Sequence, residues 1–326
     1  MKKLFYIFSI IAISSCWHRP EQPSETPEEQ YARTDGRSGL PLPEIYTHGV
    51  WVTDSVTRPI SYKCDVADSI GTDLVRYDLF MPTFLKTGTD KGYIDYANRG
   101  KEVILNIDYR TGFGKTPQPV PNMDTFKIQF EVVLRWAVSI KKPVLVVFSN
   151  EENNTANYHK WSMDYYCDLL EAAIMIGEEY GVTVVNGGIA SYGLNLWYNR
   201  QVEGKVLTVQ GRRVDTLLRR YAVMPGLKYV NLHTYAMNYK EANNMAPIRC
   251  WVDSITQRPT ISNETGQRVI RDSALTTVIL NAWKNTDWFI FFSGNPKGEK
   301  YPAIPLHNAD KSLNDAGICY KNFIQQ

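Results

Sequence analysis

From Gly49 onward, eight short β-rich runs alternate with longer amphipathic stretches, and this alternation constrains the fold more than any other feature. The runs are Gly49–Val52, Leu74–Phe80, Val103–Asp108, Val144–Ser149, Val182–Asn186, Tyr229–His233, Pro259–Ser262 and Trp288–Phe292. Several are unbroken apolar stretches, Val144-Leu-Val-Val-Phe148 among them, as expected of parallel strands covered on both faces. Between them, Phe126–Ile140 carries apolar residues at 126, 130, 133, 134 and 137, which is helical spacing. Tyr158–Tyr180, stopped by Gly181, and Gln267–Trp283 repeat that pattern after the fourth and seventh runs. The stretches after the first, second and fifth runs carry it more weakly.

Eight strands alternating with helices predict an α/β fold, a single (β/α)8 TIM barrel over residues 44–326. A doubly wound open sheet would carry a Gly-rich phosphate turn after an early strand, and no G-x-G-x-x-G occurs. Thr111-Gly-Phe-Gly-Lys-Thr116 resembles a phosphate loop, but Tyr109 stands where its first glycine is required. Hydrophobic residues at 44% suffice for a large core. Lys plus Arg exceed Asp plus Glu by 36 − 34 = 2, too small a bias for a protein that grips nucleic-acid phosphates.

Ahead of the barrel, Lys2 and Lys3 precede a short apolar stretch, Leu4–Ile13, too short to span a bilayer. It ends in Ile13-Ser-Ser-Cys16, which resembles the lipobox of bacterial lipoproteins. Residues 1–15 are therefore expected to be a signal peptide and Cys16 to be lipidated, with membrane attachment through that anchor alone. The expected location is the bacterial cell envelope outside the cytosol. Residues 16–43, rich in Pro, Glu, Ser and Gly, read as a flexible tether. Cys64, Cys167, Cys250 and Cys319 are scattered without a C-x-x-C pair, so no zinc or redox motif is indicated. Free buried thiols are expected, and sequence does not pair them.

In a barrel of this kind the C-terminal ends of the strands open on one mouth, and polar residues there are the functional candidates. The fourth run ends Ser149-Asn-Glu-Glu152, and the seventh ends Ser262-Asn-Glu264. Carboxylates from these two strands would face each other across the mouth, the pairing that glycoside hydrolysis needs.

These motifs resemble the large clan of retaining (β/α)8 glycoside hydrolases that includes cellulases, mannanases, xylanases and β-galactosidases. In that clan an Asn-Glu pair closes strand four, a Glu closes strand seven, and a His-x-Tyr lies near the end of strand six. Here Asn150-Glu151, Glu264 and His233-Thr-Tyr235 stand at those positions. The resemblance implies that Glu151 is the acid/base and Glu264 the nucleophile. It further implies that Asn150 contacts the sugar 2-hydroxyl, that Tyr235 holds the nucleophile ionised, and that His233 and Arg76 support the pair. Two positions depart from the pattern. Glu152 stands where proline commonly follows, which leaves Glu151 and Glu152 both open as the inward carboxylate. The tryptophan common at the end of strand eight is absent, that run closing on Phe292-Ser-Gly294.

Trp51, Asp108, Asn186, Trp197 and Tyr198 lie near strand ends and are the candidates for holding substrate. Asp108 is open between binding a sugar hydroxyl and orienting Arg110, and Arg76 is open to pairing with Asp78 or Asp108. Residues 191–210 and 236–250 are candidate substrate loops. No metal or organic cofactor is expected, the partner is a carbohydrate, and the chain is expected to be a monomer. A glycan-binding protein without catalysis and an endoglycosidase acting on glycoprotein glycans are the alternatives.

Overall fold

The computed structural model describes residues 47–326, apart from 54–57, 113–114, 116–117, 119–121, 155–161, 269–271, 295 and 297–304. The signal segment, Cys16 and the tether lie outside the described residues. In chain order the first half comprises β1 (Thr47–Val52), α1 (Ile60–Ile70), β2 (Leu74–Phe80), α2 (Met81–Thr87), α3 (Lys91–Asn98), β3 (Glu102–Asp108), α4 (Met123–Ile140), β4 (Leu145–Phe148) and α5 (Met163–Glu179). The second half comprises β5 (Val184–Asn186), β6 (Ile189–Ala190), α6 (Ser191–Val202), α7 (Val209–Val223), β7 (Val230–Ala236), α8 (Tyr239–Asn243), α9 (Met245–Thr256), β8 (Thr260–Gln267), α10 (Ser273–Ala282), β9 (Trp288–Ser293) and α11 (Asp315–Ile324).

All nine strands pair in parallel, in the order β5-β4-β3-β2-β1-β9-β8-β7-β6. The two ends of that order are consecutive in the chain, separated only by Gly187-Gly188. The sheet is therefore a (β/α)8 barrel whose fifth position is broken in two, and β8 is its seventh position. At the break Asn186 and Asn231 stitch β5 to β7. The Asn186 amide donates to Asn231 O at 2.9 Å and its Oδ1 accepts from Asn231 N at 2.7 Å.

Two apolar layers hold the barrel. Inside it, Leu74, Ile104, Leu145, Val147, Val185, Ile261 and Ile290 form one cluster, with most of them near the strand starts. Outside it, the helices pack on the other strand face. In α4 the five apolar positions 126, 130, 133, 134 and 137 are all buried, Phe126, Phe130, Val133 and Leu134 each contributing about 1.5–3 kcal/mol by removal from water. Asn122 and Ser162 accept hydrogen bonds from first-turn N–H groups and so start α4 and α5.

The weakly patterned stretches are helical as well: α1 follows β1, α2 and α3 follow β2, and α6 and α7 follow β6. The candidate substrate loops are thus mostly helix, since 191–210 spans α6 and the start of α7, and 236–250 spans α8 and part of α9. These short helices draw their stability from packing on the barrel rather than from their own periodicity. Among the described residues no helix is long and apolar enough to cross a membrane, and Cys64, Cys167, Cys250 and Cys319 are free.

Candidate active site

Consecutive residues of a strand point to opposite faces, yet the end of β4 sends two neighbours toward the mouth. Ser149 (φ 71°) and Glu151 (φ 50°) both adopt left-handed backbone, a conformation that non-glycine residues hold only when the surroundings enforce it. The enforcing bonds run from Ser149 N to Ile107 O at 2.8 Å and from Glu151 N to Gly187 O at 3.1 Å. The turn lets Asn150 reach Arg76 and Glu151 reach His233. Glu152 points the other way, fully buried, with Oε1 accepting from Tyr221 at 2.5 Å and from Asn186 at 2.8 Å. Glu151 is thus the inward carboxylate.

A β-bulge aims the opposing carboxylate. Asn231 and His233 of β7 pair with Ile261 and Glu264 of β8, and Ser262 and Thr265 of β8 pair with Phe289 and Phe291 of β9. The strand thus carries one extra residue against both neighbours, a device that re-aims side chains beside active sites. Both oxygens of Glu264 are held: Tyr235 Oη donates to Oε1 at 2.6 Å and Arg76 Nη1 to Oε2 at 2.5 Å. Arg76 also donates to Asp78 Oδ1 at 2.9 Å, to Asn150 Oδ1 at 2.9 Å and to Asn263 O at 3.3 Å.

His233 sits between the carboxylates, with Nδ1 3.5 Å from Glu151 Oε1 and 3.6 Å from Glu264 Oε2. Donor atoms of Glu151, His233 and Glu264 all lie within 4.8 Å of one another. Such a trio could hold a metal ion, but the Arg76 guanidinium already occupies the Glu264 oxygen nearest His233, and a cation placed there would be repelled.

Burial would push Glu151 upward, but His233 and the Asn154 amide outweigh it and hold the carboxyl below its ordinary value. His233 is raised, because the charges of Glu264 and Glu151 overcome the burial that would lower it. Each thus shifts the other, Glu151 downward and His233 upward. Burial, followed by the adjacent Glu264, raises Tyr235 well above the ordinary phenol value, so it remains a proton donor. Burial alone would lower Arg76, yet Asp78 and Glu264 raise it. Glu152 is raised by burial, which its bonds to Tyr221 and Asn186 only partly offset.

The structure brings together Arg76, Asn150, Glu151, His233, Tyr235 and Glu264. Trp51, at the end of β1, joins them: the Arg76 guanidinium lies 3.9 Å from its ring centroid, and it meets Phe292 edge-on at 4.9 Å. Asp108 orients Arg110, accepting from its N at 3.1 Å and its Nε at 2.6 Å, so both of its oxygens are committed. Three of the substrate candidates stand elsewhere. Asn186 is fully buried in the barrel seam. Trp197 is fully buried in the helical layer beside Asp215 and Trp251, which leaves no ring face for a sugar. Tyr198 packs edge-on against Trp251 at 5.8 Å. Asn231 and Asn263, which sequence reasoning did not place in the site, back His233; their signal was a polar residue inside a strand buried on both faces.

No protein-family model and no curated protein matches this sequence. Solved structures do share its fold. The GH5_18 protein of Bifidobacterium longum subsp. longum, solved as a variant with Manβ1-4GlcNAc, is 11% identical with a TM-score of 0.63, the match covering 86% of this chain and 78% of that one. A family 39 glycoside hydrolase of Bacteroides cellulosilyticus WH2 is 12% identical with a TM-score of 0.60, covering 86% and 65%. A GH26 β-mannanase of Bacteroides ovatus is 15% identical with a TM-score of 0.54, covering 92% and 93%. At these identities the likeness is one of fold, a barrel shared with glycoside hydrolases.

Proposed function

We propose that the protein is a retaining glycoside hydrolase, with Glu264 as nucleophile and Glu151 as acid/base. The observation that carries this reading is the approach of the two carboxylates, with an oxygen from each within 4.8 Å at the barrel mouth. An approach that close is compatible with the roughly 5–5.5 Å separation of carboxyl groups used in double displacement. Glu264 attacks the anomeric carbon while Glu151 delivers a proton to the departing oxygen. Glu151, now ionised, takes a proton from the water that releases the sugar from Glu264. Arg76 and Tyr235 hold both oxygens of Glu264 and so aim it; His233 is the partner with which the neighbouring Glu151 exchanges a proton. Trp51 lies in register with Phe292 on the neighbouring strand and offers an indole ring where the end of β9 carries no tryptophan.

Manβ1-4GlcNAc in one fold neighbour and the β-mannanase activity of another make β-mannosides the first substrates to test; plant, microbial and glycoprotein glycans complete the panel. Glu264→Ala and Glu151→Gln are expected to lower turnover by roughly a thousandfold or more while the fold persists. Binding without product in the unaltered protein would select a glycan-binding role instead, and unchanged hydrolysis in both variants would reject the assignment. Export and lipidation at Cys16 complete the proposal, resting on the N-terminal sequence; Cys16→Ser is expected to abolish incorporation of labelled fatty acid.

A further inference from the structure

Trp51, Phe292 and Tyr235 form a row of rings at the barrel mouth, Phe292 meeting Trp51 edge-on at 4.9 Å and Tyr235 edge-on at 5.8 Å. An arginine lies against each end of the row. Arg76 Cζ is 3.9 Å from the Trp51 centroid, and Arg268 Cζ is 4.7 Å from the Tyr235 centroid. The two are otherwise opposites. Arg76 is buried, and its donors are taken by Asp78, Asn150, Asn263 and Glu264. Arg110, at the end of β3, is likewise paired with Asp108. Arg268 is exposed, and among the described residues its guanidinium takes up neither a hydrogen bond nor an ion pair. Its place is nonetheless fixed. The Arg268 N–H donates to Ala236 O at 3.0 Å, which prolongs the pairing of β8 with β7, and the Gln267 amide donates to Asp272 O at 2.9 Å. Arg268 thus follows Glu264 on the same strand and leans on a ring whose hydroxyl reaches Glu264 at 2.6 Å. Its charge extends over the site. Burial raises Glu151 while His233 and Asn154 lower it, and Arg268 lowers it further; burial and Glu264 raise Tyr235, and Arg268 opposes them.

We propose that Arg268 binds an anionic substituent, a carboxylate or a sulfate ester, on a sugar seated over the carboxylate pair, so that the preferred substrate is an acidic saccharide. The inference rests on the glycosidase reading for its effect on turnover, whereas its effect on binding stands without that reading. A guanidinium presents its N–H donors in a planar fork that matches the oxygens of either group. Packing against Tyr235 keeps this one beside the site without using any of those donors. Glu151 and Glu264 repel an acidic ligand, and a cation with open donors next to them offsets that repulsion. A sugar covering the mouth excludes water from the new pair and strengthens it.

The test measures kcat/KM of the whole protein on matched pairs of oligosaccharides: glycans containing uronic acids and the same glycans after carboxyl reduction, and sulfated glycans and the same glycans after desulfation. The expected result is one acidic member that exceeds its neutral counterpart by about tenfold or more, the gain that a hydrogen bond to a charged group supplies. The pair in which it does so tells carboxylate from sulfate. In Arg268→Ala that ratio falls by roughly tenfold or more, and Arg268→Lys, which keeps the charge without the fork, loses less. A ratio is read because any disturbance of Tyr235 acts on both members alike. Equal use of both members of every pair, or a preference that survives in Arg268→Ala, overturns the proposal. Absence of turnover on every glycan would count against the glycosidase reading instead. Titration calorimetry with the same pairs then decides Arg268, the ratio of dissociation constants taking the place of the ratio of rates.

Discussion

Arg76 Nη1 lies 2.5 Å from Glu264 Oε2, although 188 residues separate them in the chain. The same guanidinium holds Asp78 and Asn150, so one side chain from β2 ties together the second, fourth and seventh positions of the barrel. Its burial makes it a structural hub as much as a part of the site: at 1% exposure it has no solvent to replace a lost partner.

Arg76→Met keeps the volume and removes the charge, leaving Asp78 and Glu264 as unbalanced buried carboxylates. Breaking a buried pair by deleting one partner costs about 3–5 kcal/mol. Urea denaturation is expected to show a loss of that size together with collapse of glycoside turnover. A variant as stable as the parent would show that Arg76 is not the hub.

The barrel was legible because parallel strands buried on both faces read as apolar runs, and because Asn150-Glu151 and Glu264 follow such runs directly. The details that aim those carboxylates were not legible. Ser149 and Glu151 are not glycines, so nothing in their identity announces left-handed backbone; the bulge at Asn263 is visible only against β7 and β9. Asn186 looked like a substrate contact because it ends a strand, but the break at Gly187-Gly188 turns it into the seam. Trp197 misled for a related reason: the face that a helical tryptophan shows is set by the helices packed on it, and here α7 and α9 enclose it.

Tyr235 donates to Glu264 from a buried ring and is kept protonated by burial and by Glu264 itself. A hydrogen bond to a charged group contributes about 1.5–3 kcal/mol. Tyr235→Phe is therefore expected to lower kcat roughly 10- to 100-fold with little change in KM, since in the proposed mechanism the bond serves Glu264 rather than the bound sugar. Steady-state kinetics on the substrate found in the glycan panel measures this, and a fall confined to KM would assign Tyr235 to substrate binding instead.

His48 packs edge-on to Phe289 and Phe323, with ring centroids 5.9 and 5.2 Å away, and burial lowers it from 6.5 to about 4. Between those values the unfolded chain binds a proton that the folded chain does not, so stability is lost as pH falls below 6.5 and the loss levels off near 4. The shift corresponds to about 3 kcal/mol. His48→Leu should flatten the acid limb of a stability–pH curve over that window; a parallel limb in the variant would remove His48 from the acid sensitivity.

Gly188 joins β5 to β6 with φ +90°, and a Cβ there would fall 2.1 Å from His233 Cδ2 and Nε2. Gly188→Ala therefore carries two costs that can be separated. The left-handed backbone costs about 1–2 kcal/mol for a residue with a side chain. The collision displaces the imidazole whose Nε2 lies 2.8 Å from Asn263 Oδ1 and whose Nδ1 faces Glu151. Gly88→Ala supplies the control, since Gly88 has φ +69° and nothing within 4 Å of an added Cβ. Both variants are expected to lose a similar backbone increment in thermal denaturation, with a further loss in Gly188→Ala. Only Gly188→Ala is expected to lose turnover, by tenfold or more, because only there does the added methyl meet the histidine. Equal turnover in the two variants would mean that His233 can shift without consequence, and its place between the carboxylates would lose its chemical meaning.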